Sequence, residues 1–62
     1  MDEFKKFVLH CKGPRAAGER IGKSRQMVYL MLAGKRNITV DTAKHIEYVS
    51  MGRFKARRLL EL

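Results

Sequence analysis

The sequence predicts an all-α domain, a small bundle of about four to five helices, and three observations point there. Four of the five glycines follow segments of helical period. Good N-cap residues, Ser24 and Thr39, open two of those segments. Within them apolar residues recur three and four positions apart. The chain of 62 residues has room for one domain, 1–62. A composition 45% hydrophobic and 32% charged is too apolar for a typical disordered tail, so the chain should fold. Chains this short bury only about 60% of the surface that their unfolded form exposes, which makes that fold marginal. Disulfides, a structural metal or self-association usually reinforce such domains. The single Cys11 excludes an internal disulfide, which leaves self-association open.

The first helix runs from about Asp2 to Lys12, with Phe4, Phe7, Val8 and Cys11 on one face and Lys5 and Lys6 off it. Gly13 is expected to end it, and Pro14 then stands where a helix tolerates proline best, in the first turn of the next. Arg15 to Ile21 follow, with Ala17 and Ile21 on one side and Gly22 as the stop. Gly18 occupies a helix interior, where it costs about 1 kcal/mol relative to Ala, and close approach of the next helix is the natural reason. Ser24 caps a third helix, Arg25 to Ala33, whose inward stripe is Val28, Met31 and Leu32 and whose stop is Gly34.

Lys35-Arg36-Asn37-Ile38 has no helical period and holds two adjacent cations, the pattern of an exposed loop. Thr39 caps a fourth helix, about Val40 to Met51, with Asp41 in its first turn where a negative charge suits the helix dipole. It would bury Ala43, Ile46 and Val49 or Tyr48, and Gly52 would end it. The basic tail Arg53 to Leu62 is amphipathic through Phe54, Leu59, Leu60 and Leu62 and could add a helical turn or two. The alternative for residues 37–50 is an α+β domain with a C-terminal β-hairpin, because Asn37 to Asp41 alternates and is rich in β-branched residues. Against it, Thr42-Ala43-Lys44-His45 contains no tight-turn pair, while the Thr39 cap and the Gly52 stop suit a helix.

A net charge of +8 and a pI near 10.3 point to a polyanionic partner, and composition alone admits DNA, RNA and an anionic membrane surface. The longest apolar run, Met27 to Ala33, has seven residues, too few to span a membrane. The Asp2-Glu3 start is unlike a signal peptide, and the expectation is a reduced, cytoplasmic protein. The six acids are scattered and no glycine-rich nucleotide loop exists, so neither catalysis, a cofactor nor a small-molecule ligand is expected. The adjacent His10 and Cys11 would point about 100° apart on a helix and His45 is distant, so no metal site is expected. Met27, Met31 and Met51 read as gap-filling core.

The second and third helices are the informative pair. With Val28 at the centre of the buried face, about 100° per residue puts Gln26, Tyr29, Leu30 and Ala33 on the far side, with Arg25 at the flank. That face is uncharged apart from Arg25 and rich in groups that read bases. Gln can pair with adenine N6 and N7, Arg with guanine O6 and N7, and Leu or Ala can meet a thymine methyl. All these contacts lie in the major groove, which is about 12 Å wide and admits a helix. From Lys12 to Arg36 there are seven cations and one anion, so +6 of the +8 brackets this face. Such flanking cations are where phosphates would lie if the third helix entered a groove.

At these residues, Arg15 to Tyr29, the chain resembles the helix-turn-helix repressors of the bacteriophage Cro and lambda-repressor type. The small residue, turn glycine and buried aliphatic of that motif, about 14–34, match Gly18, Gly22 and Val28. Asp41-Thr42-Ala43 to Met51-Gly52 is similar to the helix and glycine that follow the motif in the all-helical Cro proteins, so the likeness covers about residues 14 to 54. Gly18 stands where the family usually has alanine, and Lys23 where a turn aliphatic normally packs. The resemblance implies repression by operator occupancy on duplex DNA, usually as a homodimer on a pseudo-palindromic site with half-sites about one helical turn apart. It implies base contacts at Ser24, Arg25, Gln26, Tyr29 and Leu30. Phosphate contacts fall at Arg15, Lys35 and Arg36, with the Lys23 ammonium also turned toward phosphate. It further implies a place on the nucleoid of a bacterial host cell.

Two other classes stay open. RNA binding would need exposed stacking aromatics, for which Tyr29 and Tyr48 are the candidates. A protein-interaction module, such as an antitoxin or anti-repressor, would dock through the basic tail. Phe54, Leu59, Leu60 and Leu62 exceed what so small a core obviously needs, which marks them as a dimerisation element.

Overall fold

In a computed structural model, which describes residues 2–61, five helices follow in chain order. They are α1 (Glu3–His10), α2 (Pro14–Ile21), α3 (Arg25–Leu32), α4 (Val40–Val49) and α5 (Ala56–Leu59). The described residues hold no strand, so residues 37–50 form a capped helix and not a hairpin. The two caps expected from sequence are made. Ser24 Oγ accepts the Met27 N–H at 3.1 Å and Thr39 Oγ1 accepts that of Thr42 at 3.2 Å. The Asp2 carboxylate adds a third by accepting the Phe4 N–H at 3.0 Å.

The helix stops differ from expectation in one respect. Gly22 and Gly34 take left-handed conformations, and the next N–H, of Lys23 or Lys35, reaches back to the carbonyl of Gly18 or Leu30. After α1 and α4, however, the first left-handed residue is Lys12 (φ 71°) or Met51 (φ 55°). Gly13 and Gly52 come one position later and donate the closing hydrogen bonds to Val8 and Glu47. The glycine therefore follows the strained residue at these two ends instead of relieving it.

The core gathers one face from every helix: Phe4, Phe7, Val8 and Cys11; Ala17 and Ile21; Val28 and Met31; Ala43 and Ile46; Phe54 and Leu59. α2 packs on α1, α3 and α4, while α5 closes against α1 and α4. The Cα radius of gyration is 10.0 Å, against about 10.5 Å expected for a compact chain of this length, so the described residues form one body. Leu32 and Val49 are half-buried against the core. Ile38, expected in an exposed loop, also packs there. Met51, expected to fill the core, is instead 94% exposed, because its left-handed backbone at the end of α4 turns it outward.

The tail brings a larger correction. Phe54 and Leu59 are not spare apolar groups awaiting a second chain, since each is only 6% exposed. Phe54 stacks edge-on against Phe7 with ring centroids 5.5 Å apart and lies 5.4 Å from the His10 ring. Leu60 is half-buried against the same core, and Leu62 lies outside the described residues. A core built on helices of eight to ten residues is too small to close without the tail. Two hydrogen bonds bring the tail in, and a third orients the hydroxyl that accepts one of them. The Ser50 hydroxyl donates to the Glu47 carbonyl at 3.2 Å and accepts the Phe54 N–H at 3.2 Å, and the Glu47 carboxylate accepts the Ala56 N–H at 2.7 Å.

Candidate nucleic-acid interface

α2 and α3 are joined by Gly22-Lys23-Ser24, and the tightness of that turn is set at Gly18. A Cβ at position 18 would stand 2.5 Å from the Lys23 carbonyl oxygen and 3.3 Å from a Val28 methyl. The close approach expected there is real, but its nearest partner is the turn backbone more than the facing helix. Alanine at this position would not fit without moving the turn.

Holding the turn in this way carries Lys23 and Ser24 to the surface beside α2. Arg15, Glu19, Lys23, Ser24 and Arg25 line one shallow depression. An adjoining one is lined by Lys12, Gly13, Pro14, Arg15, Ala16, Glu19, Arg25 and Tyr29. Arg15, Glu19 and Arg25 belong to both. Glu19 is the one acid present, and it pairs loosely with Arg15 at 3.9 Å on an exposed surface, where screening makes such a pair worth little. The ammonium of an exposed Lys23 does not have to share the core, as an aliphatic there would. Lys12, counted in the sequence among the bracketing cations but not singled out as a contact, lines this surface as well. The visible signal for it was a cation one residue before the Gly13-Pro14 break.

The helix ends in this region match its charge. α1 and α4 carry Glu3 and Asp41 in their first turns, whereas α2 and α3 carry no acid there. α2 also has no side-chain cap, and because Pro14 has no N–H and the Ala17 N–H bonds the Gly13 carbonyl, the N–H groups of Arg15 and Ala16 are the ones left uncapped at this end, beside Lys12. Free N–H groups and the positive end of the helix dipole favour an anion at such a place. Ser24 is occupied in part: its Oγ accepts from Met27, which leaves its O–H free to donate.

Along α3 and its C-cap, Gln26 and Ala33 are exposed and Tyr29 is 54% exposed, on the side away from the buried Val28, with the exposed Arg25 at the flank. Leu30, expected fully outward, is half-buried at the edge of this face. Lys35 and Arg36 are exposed beyond the C-terminus of α3. Arg36 lies apart from the Arg15–Arg25 cluster, in a groove shared with Asp2, Ile38, Leu59, Leu60 and Glu61. Asp2 and Glu61 line the same groove, but among the described residues no ion pair ties either of them to the exposed Arg36.

Tyr29 and Tyr48 are exposed on different helices, and the three phenylalanines are buried. Among the described residues no three His, Cys, Asp or Glu side chains come together as metal ligands, and no helix is long and apolar enough to cross a membrane. Burial raises the Cys11 thiol pKa, an effect that the nearby Arg20 charge opposes in part. No family model, curated protein or solved structure matches the chain.

Proposed function

We propose that the protein is a sequence-specific, duplex-DNA-binding transcriptional repressor that acts by operator occupancy with α3 in the major groove. The observation that carries this reading is the arrangement around the N-terminus of α3. Lys12, Arg15, Lys23 and Arg25 surround two acid-free helix ends, and beside them Gln26 and Tyr29 stand exposed and uncharged. The cations and free N–H groups suit phosphates, which fix register, and the α3 face suits base edges, which fix sequence. Arg25, Gln26 and Tyr29 are the specificity residues in this reading. Ser24 and Leu30 lie at the margins, Ser24 with one donor left and Leu30 with part of its side chain exposed. Arg15, Lys23, Lys35 and Arg36 contact the DNA backbone, and the protein works in the cytoplasm of a bacterial cell as a homodimer on a pseudo-palindromic site.

Two single exposed tyrosines on separate helices give no platform on which successive bases could stack, which weighs against RNA. Selection from a random duplex pool tests the proposal. An enriched pseudo-palindrome bound about a thousandfold more tightly than random DNA supports it. Equal affinity for all sequences, varying only with salt, would overturn it.

A further inference from the structure

One face of α4 is left largely open, with Glu47 the one member of it held by another part of the chain. Val40, Lys44, Glu47 and Tyr48 recur at the spacing of one helical side, away from the buried Thr42 and Ile46, and Met51, two residues past the end of α4, shares a depression with the last three. Three of them are large hydrophobics in the open, with Val40 54%, Tyr48 81% and Met51 94% exposed. Lys44, Glu47, Tyr48 and Met51 line one shallow and mainly apolar depression. We propose that this face is an interface between two copies of the chain, packed with their α4 helices antiparallel about a twofold axis between positions 45 and 46.

The stripe itself sets the register. With the axis there, Val40 of one copy meets Met51 of the other and Lys44 meets Glu47, each pair occurring twice, as a twofold interface requires. Apolar groups then meet at both ends and opposite charges in the middle. Moving the axis by half a helical turn or more would set Lys44 against apolar groups and leave Glu47 without a cation. Lys44 and Glu47 are not spent on each other, since the ion pairs among the described residues are Lys6–Glu3 and Arg15–Glu19. Glu47 is already held in place through Oε1 by the Ala56 N–H at 2.7 Å, which leaves Oε2 for the lysine of the second copy.

Charge favours the same face. Asp41, Lys44 and Glu47 sum to −1 on α4, in a chain of net charge +8. Two copies meeting here add no net positive charge to the seam. The interface is a single helix pair flanked by Tyr48, at the small end of protein contacts, so association is expected to be weak and concentration-dependent. The inference extends the dimer in the functional reading above, yet it rests on α4 alone and needs no DNA contact by α3.

Sedimentation of the full chain without DNA, from about 10 μM to about 1 mM, provides the test. The expected result is a rise from 7.2 kDa toward twice that mass. Tyr48→Lys and Met51→Lys should each weaken association at least about tenfold, with helical circular dichroism unchanged because both side chains are exposed. Register is tested by mixing Val40→Cys with Met51→Cys chains in oxidised glutathione. A covalent heterodimer should form about tenfold faster than either variant links to itself, with the buried Cys11 of the unmodified chain as control. A monomer at every concentration, a dimer indifferent to both lysine variants, or no preference for the mixed disulfide would each overturn the inference. Because no DNA is present, such a failure would leave the reading of α3 standing.

Discussion

At the residue scale, the proposed interface separates two kinds of side chain, and substitutions should separate them in turn. Arg25→Ala or Gln26→Ala is expected to cost about 1–3 kcal/mol at one base position and to relax the preference there. Lys35→Ala should weaken all sequences alike and flatten the salt slope by about one, as titrations at several salt concentrations would show. Gly18→Ala tests the turn. Alanine gains about 1 kcal/mol in helix propensity, but the displaced Lys23 carbonyl should cost more, typically about 1–3 kcal/mol. A net fall of a few degrees in Tm is expected, and a rise would show that the turn yields freely. Cys11 sets a pH dependence. Its folded pKa lies above the unfolded value, so the folded state holds the proton longer. Its contribution to stability is complete below the ordinary thiol range and is lost as pH rises through the folded pKa. Alkaline denaturation should therefore be blunted in Cys11→Ala, once the loss from the smaller side chain is subtracted.

At the scale of elements, capping residues and apolar period made most of the fold legible. Ser24, Thr39 and Gly22 act locally, within one turn of backbone, which is why α3, α4 and the α2 stop can be read from neighbours in the chain. The tail could not be read so. Phe54 and Leu59 look surplus until Phe7 and His10 are seen beside them, and those contacts join the two ends of the chain. The Glu47–Ala56 bond that seats α5 spans nine positions and matches no local motif. Glu47→Ala should therefore loosen α5 with α2 and α3 intact, seen as faster amide exchange confined to residues after Gly52. Met51 was misplaced for a related reason. Its apolar character suggested burial, while the stop of α4 one residue before Gly52 turned it into solvent. Met51→Gly should relieve a left-handed residue that costs about 1 kcal/mol and raise thermal stability.

At the scale of the whole molecule, charge and fold divide the surface. The acid-free ends of α2 and α3 face one region with Lys12, Arg15, Lys23 and Arg25, while α4, the helix of net negative charge, presents Tyr48 and Met51 elsewhere. Of the first region the α3 face was legible in sequence, because helical rotation from Val28 places Arg25, Gln26 and Tyr29, whereas the approach of Lys12, Arg15 and Lys23 to it depends on how α2 packs. The position of Arg36 was not legible either, since it depends on where the far end of the chain folds back. The central claim is that the outward face of α3 reads base edges while its surroundings hold phosphates. The most direct measurement is the ratio of affinities for a selected duplex and a scrambled one, for wild type, Arg25→Ala, Gln26→Ala and Lys23→Ala, at two salt concentrations. The prediction is a ratio that falls about tenfold or more for Arg25→Ala and Gln26→Ala and holds for Lys23→Ala, whose losses are equal on both duplexes. Equal losses on both duplexes for all three variants would contradict it.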